Sequence, residues 1–87
     1  MQASKLTKNK ELCKYLGLVI QELKGKKKKS ILAYESDLPR SVVYSILEGK
    51  KDPQLTTFCR LASGLEMKPS ELMKIIEEKM DWENFLE

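Results

Sequence analysis

The segment from Lys29 to Gly49, KSILAYESDLPRSVVYSILEG, constrains the fold more than any other part of the chain. Its pattern predicts two short helices joined by a tight turn at Asp37, because Asp tolerates a left-handed backbone better than most residues. Pro39 disfavours a helical Leu38 before it and itself suits the first position of the second helix. The segment therefore predicts a pair of packed helices rather than a strand or a long loop.

The second of these helices separates into two faces when it is placed on a helical wheel of about 100° per residue. Its apolar residues, which predict a buried face, are Val42, Val43, Ile46 and Leu47. The polar residues fill an opposite arc of roughly 140°, and they are Arg40, Ser41, Tyr44, Ser45 and Glu48. Arg, Tyr and hydroxyl groups can read base edges in a major groove. The polar face is therefore the candidate functional surface.

The remainder of the chain predicts three more helices and no strand, so the fold class is all-α with a compact five-helix domain. The predicted helices run from about Lys8 to Lys24, Ser30 to Ser36, Pro39 to Leu47, from about Leu55, and from about Pro69 to Lys79. Their candidate core residues include Leu12, Leu16, Ile20, Ile31, Leu32, Leu55, Phe58, Leu61, Leu72 and Ile76. The predicted domain covers residues 8–80.

The two ends of the chain are predicted to lie outside this domain. Residues 1–7 are predicted to form a flexible N-terminal arm. Residues 81–87 form an acidic tail that also carries Trp82, Phe85 and Leu86. The apolar residues of the tail either pack back over the domain's own helices or form an interface with a second copy or a partner protein.

The residue types of the chain exclude most catalytic and metal chemistry. There is no histidine in the 87 residues, and Cys13 and Cys59 stand too far apart for a metal motif. No nucleophile has a base at motif spacing, so the chain is predicted to be no enzyme and to need no cofactor. No signal peptide or membrane-spanning run appears, which predicts a cytoplasmic protein without a membrane partner.

Charge is distributed unevenly along the chain. Residues 1–51 hold twelve Lys and Arg against five Asp and Glu, whereas residues 52–87 hold four against eight. A basic half that contains the helix pair is the polarity expected of a protein with one side facing a polyanion. The alternative is a solvated lysine surface, and this applies above all to the run from Lys26 to Lys29.

Between Leu16 and Leu72 the chain resembles the lambda-repressor-like helix-turn-helix family, also called Xre or Cro-like. The matching residues are Leu16-Gly17, Ile20, Lys24, Leu32-Ala33, Asp37, Val43, Ile46, Gly49-Lys50, Pro53, Leu61-Ala62 and Leu65. Their order and spacing carry the resemblance together. It implies a compact helical domain whose third helix enters the DNA major groove, often as a dimer on a two-fold-related operator.

By position, the resemblance also implies three groups of DNA-binding residues. They are Lys29 and Ser30 at the phosphate backbone, Arg40, Ser41, Tyr44 and Ser45 at bases and flanking phosphates, and Lys50 and Lys51 at the backbone from the following loop. The helical wheel selects the middle group independently. The alternative for the two serines is that they are solvent-facing positions without a DNA contact.

The chain departs from the family pattern at four positions. Lys29 replaces a common Gln, which favours a nonspecific phosphate contact, and Asp37 replaces a turn Gly. Leu47 replaces a Glu that pairs with the basic residue of helix one, so an apolar contact is expected there. Glu48 lies on the outward arc, where it would repel phosphates unless it accepts from a cytosine amino group or pairs with Arg40 or Lys51.

These features favour a transcription regulator that binds double-stranded DNA sequence-specifically as a homodimer. The resemblance implies that its most common role is that of a repressor. One alternative is an antitoxin or other interaction module that binds a partner protein through its C-terminal region. Another is a basic helical module that binds an acidic protein and has no DNA role.

Overall fold

The computed structural model describes the backbone of residues 2–85 and the side chains of residues 8–83 and 85. The elements are α1 (Gln2–Lys24), α2 (Lys29–Glu35), α3 (Arg40–Leu47), α4 (Leu55–Gly64), α5 (Pro69–Met80) and a single-turn α6 (Trp82–Phe85). No strand occurs between residues 2 and 85. The predicted all-α class with five main helices is confirmed.

The predicted start of the first helix, at about Lys8, is corrected by the structure. Helix α1 begins at Gln2, so residues 2–7 extend this helix rather than form a separate arm. Gln, Ala, Lys and Leu in this stretch are good helix formers, and their propensity extends the helix beyond its apolar stripe. Residue 1 of the predicted arm lies outside the described residues.

Helix α3 is held by packing on its apolar face. Helix α1 packs against α3 and α5, and α2 packs against α3 and α4. Val43 and Ile46 are fully buried at the centre of the core, and Leu47 is buried beside them. The other fully buried large side chains are Val19, Ile20, Leu32, Leu61 and Leu72. The polar arc of α3 is consequently turned away from the core, as the helical wheel predicts.

Some residues that the sequence assigns to the core lie at the surface. Leu12, Ile31 and Leu55 are 38%, 46% and 77% exposed. Each belongs to the apolar stripe that the sequence predicts for its helix. Leu55 is the first residue of α4. Helical periodicity therefore identified the correct faces and overestimated how much of them is buried.

The turn between α2 and α3 has the backbone that the sequence predicts. Asp37 is left-handed, with φ of 55°. Its N–H donates to the carbonyl oxygen of Tyr34 at 3.1 Å, and the N–H of Leu38 donates to that of Ala33 at 3.0 Å. This is a Schellman arrangement, which satisfies the last carbonyl groups of α2 and directs the chain into α3.

Helices α1 and α3 approach each other closely at Gly17. A methyl group built on Gly17 would lie 2.8 Å from the carbonyl oxygen of Ile46 and 2.9 Å from that of Leu47. Both distances are shorter than a carbon and an oxygen tolerate, so only a residue without a side chain fits between the two helices. Gly17 therefore allows α1 to contact the C-terminal end of α3 directly.

Replacement of Glu66 by Gly is expected to raise stability by about 0.5 to 1 kcal/mol, because Glu66 holds a left-handed backbone with φ of 61°. Glycine removes the steric cost of that conformation and retains the bond from the N–H of Met67 to the carbonyl oxygen of Ala62. The urea unfolding midpoint should rise without a change in slope. Glu66→Ala is the matched control, since it keeps the Cβ atom and should bring no gain.

Candidate nucleic-acid interface

The predicted base-reading group lies together on the outer face of α3. Arg40 opens the helix and is exposed, and Ser41 beside it is exposed as well. Tyr44 is 38% exposed one turn further along, and Ser45 is half-buried. Charged, aromatic and hydroxyl groups thus share the polar face of α3. Their arrangement is that of a helix that could present side chains to a groove.

The first residue of α2 meets this surface. Lys29 and Ser30 open α2, Lys29 being exposed and Ser30 half-buried. The Nζ atom of Lys29 lies over the ring of Tyr44, 5.8 Å from its centroid. This distance is within the range of a cation–π contact. The structure therefore joins one predicted phosphate-binding residue to one predicted base-facing residue.

The loop after α3 carries the third predicted group. Lys50 and Lys51 are both exposed. Glu48, the first residue after α3, has its Oε1 atom 3.9 Å from the Nζ atom of Lys50, and both side chains are more than half exposed. A pair at this distance in solvent is weak. The sequence analysis offered Arg40 or Lys51 as a way to neutralise Glu48, and the structure places Lys50 beside it.

The lysine run between α1 and α2 divides into bound and exposed residues. Lys27 forms an ion pair with Glu35 of α2, with 2.5 Å between Nζ and Oε1. Lys24 donates from Nζ to the carbonyl oxygen of Lys27 at 3.1 Å. Lys26 and Lys28 are exposed. Part of the run therefore holds the loop in place instead of extending towards a partner.

Leu47 makes the apolar contact that the sequence predicts at the end of α3. Leu47 is 6% exposed and belongs to the core. Lys24 donates to backbone carbonyl groups of its own loop. The end of α3 is therefore joined to the core by an apolar contact.

The acidic and cysteine side chains of the described residues do not gather into a metal-binding cluster. No group of three or more His, Cys, Asp and Glu side chains capable of holding a metal occurs in the part of the chain that the structure describes. Cys13 and Cys59 are free and half-buried. Burial, and to a lesser extent Asp52, raises the pKa of the Cys13 thiol, which disfavours the reactive thiolate. None of the described helices is both long enough and apolar enough to cross a bilayer.

An apolar groove of about 840 Å³ lies between α1, α4, α5 and α6. It includes the exposed residues Leu12, Leu55, Met73 and Trp82, and no residue of α2 or α3 lines it. The groove and the polar face of α3 are thus built from different helices. The sequence did not reveal the groove, because its walls come from three separated segments and its apolar residues are also those expected of a core.

The described part of the tail packs back on α1. Phe85 lies edge-on to Tyr15 with 6.3 Å between ring centroids, and it stacks on Trp82 at 6.0 Å. The Nζ atom of Lys8 donates to the carbonyl oxygen of Phe85. Met80 is buried, whereas Trp82 is 44% exposed at the edge of the groove. Leu86, which the sequence grouped with these residues, lies outside the described part of the chain.

Comparison with known proteins identifies two similar solved structures. The restriction-modification controller protein C.AhdI from Aeromonas hydrophila is 31% identical, with a TM-score of 0.64 over 69% of this chain and 94% of that chain. A point mutant of the restriction-modification controller protein C.Esp1396I has a TM-score of 0.72 at 20% identity, over 79% of this chain and 90% of that chain. No protein-family model and no curated protein sequence matches the chain.

Proposed function

The chain belongs to the lambda-repressor-like, or Xre/Cro-like, helix-turn-helix family, which includes the restriction-modification controller proteins, and from this membership we propose a sequence-specific double-stranded DNA-binding transcription regulator. Helix α3 enters the major groove in this proposal. Arg40, Ser41, Tyr44 and Ser45 face the bases and nearby phosphates, and the helix is held by its buried apolar face.

The single observation that carries the proposal is the division of α3 into two faces. Val43 and Ile46 are fully buried, while Arg40 and Tyr44 on the opposite side are open to solvent. An exposed guanidinium at the start of a helix can bind O6 and N7 of guanine with two parallel bonds. Lys29 at one end and Lys50 and Lys51 at the other supply positive charge for the flanking phosphates.

Selection of bound sequences from a random duplex pool tests this proposal, with the affinity then measured at two salt concentrations. A recurrent motif bound at least about 1,000-fold more tightly than random duplex is expected. Binding without a motif, at an affinity that varies with the salt concentration but not with the DNA sequence, would contradict a sequence-specific regulator. The salt dependence itself counts the phosphate contacts, because each one adds about −0.9 to the log–log slope.

We further propose that the protein acts as a repressor in the cytoplasm and binds DNA as a homodimer on two-fold-related half-sites. The genes of a restriction-modification system are the first candidates for its targets, since the similar proteins control such systems. Fusion of the selected promoter to a reporter tests the direction of control. Sedimentation at several protein concentrations tests the dimer, and a monomer both free and on DNA would contradict it.

The apolar groove favours a second candidate function, the binding of a partner protein as in an antitoxin. Trp82 borders the groove and is 44% exposed, and this surface uses no residue of α2 or α3. The two functions can therefore coexist. Trp82→Ala should weaken the complex with such a partner and leave operator affinity unchanged, whereas equal loss of both would contradict a separate partner surface.

Replacement of Lys50 and Lys51 by Ala is expected to weaken binding to all sequences alike. Both side chains are exposed in the loop after α3 and are proposed to contact phosphates. The log–log salt slope should fall by about 0.9 for each lost contact. Lys68 and Lys74, exposed at the start of α5 and within it, provide a matched double replacement by Ala. An unchanged slope in the Lys50 and Lys51 variant would exclude their phosphate contacts.

A further inference from the structure

We propose that Lys29 and Tyr44 form one recognition unit, in which Lys29 orients the ring of Tyr44 and so contributes to sequence selectivity. The inference rests on the proposed DNA-binding function and deepens it. Lys29 is the first residue of α2 and Tyr44 lies in the middle of α3. Their contact, 5.8 Å from Nζ to the ring centroid, bridges the two helices on the exposed side of the pair.

Lys29 is suited to this role because, among the described residues, its ammonium group forms no ion pair with a carboxylate. Among the described residues, Lys27 is paired with Glu35 and Lys50 lies near Glu48, but no carboxylate lies within ion-pair distance of Lys29. A cation above an aromatic face is attracted by the negative charge of the ring surface. The ammonium group can therefore remain over the ring and still donate to a phosphate.

Tyr44 is correspondingly more restricted than an ordinary surface tyrosine. It is 38% exposed, compared with 85% for Tyr34 on α2. A ring that is partly covered and held by a cation loses less side-chain entropy when it meets a base or a sugar. Pre-orientation of this kind strengthens binding to base pairs that the ring can contact in its held position. It does not strengthen binding to other base pairs.

The unit predicts an effect that a phosphate contact alone would not produce. A lysine that binds only phosphate fixes position on the duplex and carries no direct sequence information. A lysine that orients a base-facing aromatic ring also changes the relative affinity for different base pairs. Lys29 is therefore a positioning residue for Tyr44, and its loss should reduce discrimination in addition to affinity.

A double-mutant cycle on the full chain tests this coupling. Lys29→Ala, Tyr44→Ala and the double variant are compared on the selected operator and on its single base-pair variants. Lys29→Ala should lower discrimination by about 2- to 5-fold at the base pairs where Tyr44→Ala lowers it, the range expected of an exposed cation–π contact. In the Tyr44→Ala background, Lys29→Ala should weaken all duplexes by the same factor.

Two control variants sharpen the comparison. Lys28→Ala removes the same charge one residue earlier, from an exposed side chain, and should leave discrimination unchanged. Lys29→Arg retains a cation that can lie on the ring and should preserve discrimination. A uniform loss for Lys29→Ala that matches the loss for Lys28→Ala would overturn the proposal.

The contact can also be measured without DNA. Proton NMR of the free protein should show upfield ring-current shifts for the methylene protons next to Nζ of Lys29, and these shifts should disappear in Tyr44→Ala. Their absence in the native chain would overturn the unit. A native chain that shows the shifts but selects no DNA motif would instead contradict the proposed function, and with it the role of the unit in selectivity.

Discussion

Replacement of Arg40 and Tyr44 together by Ala is expected to lower operator affinity by at least about 100-fold, to the level of nonspecific binding. Each good bidentate contact between an arginine and a guanine contributes about 1 to 3 kcal/mol of discrimination. Tyr44 adds contact area at the centre of the same face. Both side chains lie opposite the buried Val43 and Ile46, so the fold should survive their removal.

The measurement is a titration of the selected operator and of a random duplex by fluorescence anisotropy, with thermal unfolding as a check on the fold. Arg60→Ala with Tyr34→Ala is the matched control, because both residues are exposed and lie outside the proposed base-reading face. The control should retain operator affinity within about 2-fold. If operator affinity falls by less than about 10-fold in the Arg40 and Tyr44 variant, α3 is not the helix that recognises the operator.

Features set by local sequence could be predicted correctly. The left-handed Asp37 follows from the backbone preference of that residue. The predicted start of the third helix at Pro39 lies one residue before the observed start at Arg40, because Pro39 is the N-cap residue with an extended backbone. The two faces of α3 follow from the helical period, since its buried side is the apolar arc. Short-range steric rules act within a few residues, so one sequence suffices to read them.

Features set by the packing of distant segments could not be predicted in the same way. The exposure of Ile31 and Leu55 depends on which distant segments pack against their helices. The contact of Lys29 with Tyr44 depends on the angle between α2 and α3. A lysine has no preferred partner in a sequence pattern, and a single sequence does not specify the angle at which two helices cross.

The position of α3 depends on its contact with α1 as much as on its own sequence. Helix α1 supplies the surface against which the last turn of α3 lies, and Gly17 brings the two backbones together. Leu47 is buried at the same end of α3. A substitution on α1 can therefore change the presentation of Arg40 and Tyr44 without contacting DNA.

Gly17→Ala is accordingly expected to lower the free energy of unfolding by about 2 kcal/mol and the melting temperature by about 10 °C. The new methyl group would meet the carbonyl oxygens of Ile46 and Leu47 at 2.8 and 2.9 Å, and backbone atoms must shift to accept it. The higher helix propensity of Ala offsets part of this loss, by about 1 kcal/mol. Molecules that fold should also bind the operator more weakly, because α3 is displaced.

Leu18→Ala is the control, on the same helix at a side chain that is 61% exposed. It should change the free energy of unfolding by less than about 0.5 kcal/mol. Equal stability of Gly17→Ala and the native chain in thermal and urea unfolding would show that α1 and α3 are not in backbone contact.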